Sequence, residues 1–151
     1  MRLTIKLILA ATCLGLGGTA VLAGTADDAI KGRQGCMKAH GASMGVMVPM
    51  MKGEKPYDNA AIQASLDAYD PACAGWDTWW GADTQKGETV ETYAKAEIWT
   101  DPKGFTDAGG KWYEAFKVLK ATADEASFKA AFPAMGAGCQ GCHEKFRRPK
   151  G

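Results

Sequence analysis

The sequence predicts an all-α protein, an antiparallel four-helix bundle, and three observations carry that prediction. Between Asp27 and Met51 the positions Ile30, Gln34, Met37, Gly41, Met44, Val48 and Met51 alternate in steps of four and three, the rhythm of an inward-facing helix seam. The same rhythm returns near the other end in Phe128, Phe132, Met135, Cys139, Cys142 and Phe146. No run of strand period competes with these seams, and Gly- and Pro-bearing connections separate the periodic segments.

The first helix is expected over Asp27–Met51, with Asp27 and Asp28 at the positive end of its dipole. Pro49 weakens its last turn, and Gly53 with Pro56 marks the turn that follows. A second helix runs from Asp58 or Asn59 to about Tyr69, with Ile62, Leu66 and Tyr69 on one stripe, and Asp70-Pro71 ends or kinks it. The connection after it holds Trp76, Trp79 and Trp80, read as an apolar plug over one end of the bundle. A short helical segment is expected from about Glu88 to Trp99, before Asp101-Pro102. The third long helix is placed at Asp107–Thr122, with Trp112, Phe116 and Leu119 facing inward. The fourth is placed at Asp124–Arg147, where Pro133 should kink it or split off its first turns.

Residues 1–23 read as a secretory signal peptide: a basic start at Arg2 and Lys6, an apolar run over Leu7–Leu16, and small residues before a break after Val21-Leu22-Ala23. That run is too short for a membrane span. Cys13 lies within it, and Thr12 before it argues against a lipoprotein. Residues 24–151 then form one domain with a single core. Removal of the signal takes Arg2 and Lys6 from 18 basic side chains and none of the 17 acidic ones, so the formal charge turns from +1 to −1. That balance offers no case for nucleic acid or a membrane surface as partner. The expected location is the periplasm.

The chemistry is concentrated in Cys139-Gln140-Gly141-Cys142-His143, the pattern of c-type haem attachment. Positions i and i+3 share a helix face, so both thiols can reach the vinyl groups on one haem edge, and the next residue offers its imidazole to the iron. A redox dithiol would sit in a βαβ setting, which is missing here. A zinc site needs about four ligands, and His40 with Cys36 or Cys73 could complete one with these cysteines only by coincidence. The cofactor read from the motif is one covalent haem c, held on the core-facing stripe of the C-terminal helix.

With the motif on a C-terminal bundle helix, the chain resembles the class II c-type cytochromes, the cytochrome c′ and cytochrome c-556 family. The likeness runs through Arg33-Gln34-Gly35-Cys36-Met37, Lys52-Gly53-Glu54-Lys55-Pro56-Tyr57-Asp58, Glu97-Ile98-Trp99 and the stretch from Cys139 to Arg147. It implies His143 as one axial ligand. It also places Met37 at the distal position, where the c′ type carries Leu or Phe and leaves the iron five-coordinate for nitric oxide or carbon monoxide. Met37 lies on the first seam, and Gly41 one turn later leaves room for a flat macrocycle. The expectation is therefore a six-coordinate, low-spin electron carrier rather than an enzyme, with redox proteins as partners and a monomer or homodimer as its state. The alternative is a c′-like protein with an open iron. Met/His ligation raises the reduction potential and fills the coordination shell. Met44, Met47, Met50, Met51 and Met135 are read as core fillers, and His40, one position off the seam, as solvated or capping.

The resemblance further implies that Arg33 and Gln34 lie against the haem propionates and that Arg147 borders the proximal face. For Arg33 the physical reason is charge-assisted pairing with a carboxylate. The remaining cysteines, Cys36 and Cys73, are expected to form a disulfide. With the first helix ending near Met50 and the second starting near Asn59, each lies about 14 residues, or about 21 Å, from the turn.

Overall fold

The computed structural model describes residues 25–149. The signal-peptide reading falls on residues outside that range. Six α-helices occur among the described residues, α1 (Ala26–Met51), α2 (Asn59–Asp67), α3 (Tyr69–Cys73), α4 (Glu97–Thr100), α5 (Pro102–Lys120) and α6 (Glu125–Phe146), with two short 3-10 helices, Trp76–Thr78 and Ala82–Thr84, between α3 and α4. α1, the α2–α3 pair, α5 and α6 make the four-helix bundle, in which α5 packs on α6 and α1 on α2 and α3. No helix among these residues is long and apolar enough to cross a membrane.

α1 starts where Thr25 and Asp28 exchange side-chain-to-backbone hydrogen bonds as a capping box. It ends in a turn through Gly53, whose φ of 75° lies in the left-handed region that glycine enters without steric cost. The buried stripe differs from the expected seam. From Arg33 onward it runs one position earlier, through Arg33, Cys36, Ser43, Met47 and Met50, with half-buried His40 filling the gap. Gln34, Met37, Met44, Val48 and Met51 flank that stripe half-buried, and Gly41 is exposed. Periodicity counts apolar residues, and this face buries polar ones: Ser43 Oγ donates to the Ser65 carbonyl at 2.6 Å, and Cys36 is tied to α3.

Asp58 caps α2 by accepting from the Ala61 N–H. The chain bends at Ala68 and resumes as α3, so Asp70-Pro71 opens a short helix instead of ending one. Pro71 stands in its first turn, where its missing N–H has no intrahelical partner to lose.

The helix expected from Glu88 is absent until Glu97. The N–H groups of Glu88, Thr89 and Val90 are taken by the Asp27 carboxylate on α1. Farther along, Ala94 bridges Arg147, Lys95 donates to the Phe146 carbonyl, and Arg148 donates to the Tyr93 carbonyl. Acceptors distant in sequence thus take the donors a helix would have used.

α5 begins five residues before the expected start. Asp101 is its N-cap, accepting from Gly104 N–H at 2.9 Å, and Pro102 occupies the first turn. The Asp-Pro pair read as a stop is a start signal. α6 is continuous through Pro133, so its first turns are not split off. Pro133 lies on the exposed face, where the carbonyl it leaves unpaired meets water.

One end of the bundle is a closed apolar core of Met47, Met50, Ile62, Leu66, Tyr69, Phe116, Leu119, Phe128, Phe132 and Met135, with Met44 and Met51 packed against it. The other end is aromatic. Trp80 meets Trp76 and Phe105, and Phe105 meets Phe146, with ring centroids 4.7–5.3 Å apart. Trp76 and Trp80 form the expected plug, with Phe105 and Phe146 as further members, whereas the Trp79 ring lies against Gly32 of α1 and Gly75 instead.

Candidate functional site

The last three turns of α6 carry the attachment motif. Cys139 and Cys142 are free, half-buried thiols one turn apart on one face. Burial pushes both thiols up, so they are protonated at neutral pH. His143 is half-buried, and burial first, then the charge of Arg147, lower its pKa, which keeps the imidazole neutral with a lone pair to give a metal. Gly138 opens this stretch: a Cβ there would stand 3.0 Å from the Trp112 Cα, so glycine lets α5 and α6 close up just before the motif.

Across from the motif stands His40. Its ring stacks on Trp112 at 4.7 Å and packs against Tyr69 at 4.3 Å. Burial first, then the nearby His143, lower its pKa to about 4. The solvated or capping role expected for His40 is corrected: its ring is an interior wall element. Periodicity missed it because the whole α1 stripe is shifted by one residue. Its signal in the sequence was the i+4 spacing from Cys36, which puts both on one face.

Arg33 is 5% exposed. One guanidinium nitrogen donates to the Thr84 carbonyl at 2.7 Å, while Nε and the other terminal nitrogen have no partner. Its Cζ lies 4.6 Å from the Trp80 ring centroid and 5.8 Å from that of Trp99, a cation–π cage. Sequence reasoning gave Trp80 no chemistry; its contact with Arg33 across the long connection has no short-range signal. Gln34 directs its amide to the Glu91 carbonyl at 2.7 Å. Met37 is half-buried beside the stripe. Arg147 caps the end of α6, with its Cζ 6.0 Å from the Tyr93 ring. Cys36 and Cys73 are joined as a disulfide, with Cα atoms 4.8 Å apart, which fastens α1 to the end of α3.

These residues fit a haem. Two thiols and an imidazole share one face at the end of α6, and a buried cation keeps two donors unused. Trp80, Phe105 and Phe146 connect the Arg33 cage to the end of α6. The hydroxyl of Tyr69 and the indole N–H of Trp112 are likewise buried without partners, and both rings pack against His40. Unpaired buried donors are costly, and a group carrying two carboxylates would give the Arg33 donors the partners they lack.

Comparison with known proteins agrees. The family described as Cytochrome C' matches residues 28–147. A cytochrome c' of Cereibacter sphaeroides is 33% identical over 148 residues, covering 93% of this chain and 96% of its own. A cytochrome c-556 of Agrobacterium tumefaciens is 31% identical over 123 residues, covering 80% of this chain and 98% of its own. Among solved structures, a nitric oxide complex of a mutant cytochrome c prime from Alcaligenes xylosoxidans superposes with a TM-score of 0.71 at 28% identity. It covers 83% of this chain and 98% of that one.

Proposed function

The chain belongs to the cytochrome c′ family, proteins with one covalent haem c, and from that premise we propose that it is a periplasmic haem protein whose distal face takes up nitric oxide or carbon monoxide. The observation that carries this reading is the register of α1. At the level of the motif, the buried stripe presents Arg33, Cys36 and Ser43, with His40 held between Tyr69 and Trp112. Met37 lies one position to the side. Nitric oxide is also the ligand of the Alcaligenes relative. The weight therefore shifts from the six-coordinate carrier to the open-iron alternative.

The haem supplies an iron that accepts a neutral diatomic ligand or exchanges one electron. The chain does the rest. Cys139 and Cys142 would form the two thioethers, and His143, neutral because it is desolvated, would give its lone pair to the iron. Arg33 would take the propionates on its two unused donors, with Arg147 beside the proximal face. Met37 and exposed Gly41 would set the room on the distal side, and neutral His40, Tyr69 and Trp112 would form a wall that adds no charge there.

Met37 favours a second reading. It is half-buried, its neighbour Cys36 is anchored by the disulfide, and a relative at 31% identity is a cytochrome c-556. A thioether on the iron would make the protein a six-coordinate electron carrier. Absorption spectra of the oxidised and reduced holoprotein, with and without carbon monoxide, separate the two. A high-spin ferric spectrum with ready carbon monoxide uptake is expected. A low-spin spectrum with a sulfur-to-iron band that is lost in Met37→Ala would overturn the first reading in favour of the second.

A further inference from the structure

The bundle holds a second group of metal-ligating side chains, outside the attachment motif. Cys36, His40 and Cys73 bring their donor atoms within 4.8 Å of one another. His40 Nε2 stands 3.9 Å from the Cys36 sulfur and 3.7 Å from the Cys73 sulfur. The backbone arranges this directly: Cys36 and His40 are i and i+4 on α1, and Cys73 is the last residue of α3. The imidazole is also fixed in direction, since Tyr69 and Trp112 hold its ring from two sides. A histidine placed only to fill space has no need to aim a nitrogen at two sulfurs.

We propose that Cys36, His40 and Cys73, once the disulfide is reduced, bind one thiophilic d¹⁰ cation as a two-thiolate, one-imidazole site. That donor set suits a four-coordinate zinc ion with water as its fourth ligand. Two thiolates neutralise the divalent charge, which matters because Cys36 is 1% exposed and an uncompensated charge there would be expensive. Two thiolates on one such ion stand about 3.7 Å apart, and side-chain rotation reaches that separation with the Cα atoms 4.8 Å apart.

The reductant required is a dithiol. Cys73 is the half-exposed sulfur, so an external thiolate attacks it, and Cys36 leaves as a thiolate and takes up a proton. The second thiol of the reductant then attacks its own sulfur in the mixed disulfide and releases Cys73. The reductant departs as a disulfide, and the chain has gained two electrons and two protons. The cation displaces both protons on binding. In either state α1 stays fastened to α3, by a disulfide or by a metal.

The test uses the holoprotein, in which Cys139 and Cys142 are taken up by haem. One sample is reduced anaerobically with dithiothreitol and desalted, the other left oxidised, and zinc is titrated into both against a chromophoric zinc indicator. About one zinc per chain should bind the reduced protein at least a hundredfold more tightly than the oxidised one, and Cys73→Ser and His40→Gln should weaken it at least about tenfold. His40→Gln leaves the disulfide free to form, so its helix content can be checked before reduction. Independently of any variant, zinc should protect Cys36 and Cys73 of the reduced protein from iodoacetamide, read by mass spectrometry. Equal affinity of reduced and oxidised protein, or alkylation at the same rate with and without zinc, overturns the proposal. The same mass spectra report whether haem is attached to Cys139 and Cys142, so a failure of the haem reading is seen separately.

Discussion

The two ends of this bundle are built on different terms. At one end Met47, Met50, Ile62, Leu66, Phe116, Leu119, Phe128, Phe132 and Met135 close into an apolar core. Its helices are joined by a short turn through Gly53 and by the capped start of α6. At the other end the buried face of α1 carries a guanidinium with two unused donors. The motif on α6 is only half covered, and the side chains of Trp80 and Trp112 each bury a donor without a partner. The first end is finished by its own side chains. The second leaves donors that an added group, apolar, flat and anionic at its rim, would complete. Stability is thereby stored at one end while the other accepts polar groups that lower it, so the two can be separated by mutation.

The largest effect should come from removing the tether. The double variant Cys139→Ala/Cys142→Ala should lose covalent haem entirely, read as the loss of the haem mass under denaturing mass spectrometry, while its helical content persists because the closed end is intact. A molten or unfolded double variant would show that the two ends are not independent. At the closed end, Phe128→Ala removes a fully buried ring that packs on Tyr57 and Phe132. It should cost about 3–5 kcal/mol in denaturant unfolding and leave the visible spectrum of the remaining folded haem protein unchanged. A shifted spectrum would mean that the core reaches the site.

How far the sequence foretells each end follows from the same contrast. The closed end was legible because its seams are apolar and periodic, and Phe128, Phe132 and Met135 are buried as expected. The motif on α6 was legible because its three residues are neighbours in the chain. The distal side was misread by one residue because Arg33, Cys36, His40 and Ser43 are buried for reasons other than hydrophobicity: a cage of indoles, a disulfide, a stacked ring, a bond to the Ser65 carbonyl. Each of those partners is distant in sequence, and a window along the chain cannot weigh them. The missing helix before Glu97 has the same origin, since the donors of Glu88, Thr89 and Val90 are claimed by Asp27 from more than sixty positions away.

His40 tests whether the motif end lowers stability as its polar burial implies. Its folded pKa is about 4 against an ordinary 6.5, set by burial and then by His143. As pH falls, the unfolded chain takes the proton first. The stabilisation is therefore complete above about pH 6.5 and is lost on descending toward pH 4, by at most about 3 kcal/mol. Carboxylates titrate in part of the same window, so the quantity to measure is the difference between the parent and His40→Gln in thermal unfolding at pH 7 and at pH 4.5. The parent should lose more. Parallel curves would mean that His40 is not buried in solution.

Arg33 should change the sign of its effect with the state of the site. In haem-free Cys139→Ala/Cys142→Ala protein it is a buried cation with unused donors, so Arg33→Met should stabilise by about 1–3 kcal/mol. In the holoprotein the same substitution should destabilise, because the propionates would lose their partner. Both measurements are denaturant midpoints. Equal signs in the two backgrounds would mean that the unused donors of Arg33 do not serve the haem.

The smallest effect belongs to the turn at the closed end. Gly53 holds a φ of 75° between α1 and α2, and a Cβ there would meet no neighbouring atom within 4 Å. Gly53→Ala therefore tests backbone conformation alone, without a steric clash, and should cost about 1 kcal/mol. The cost should be the same with and without haem, since the turn lies at the end of the bundle that the cofactor does not complete. The check is the denaturant midpoint of the variant in both backgrounds. A cost that doubles in the holoprotein would show that the entry angle of α2, and through it Tyr69 and the disulfide, is set from this turn, and the division of the bundle into a finished and an unfinished end would fail.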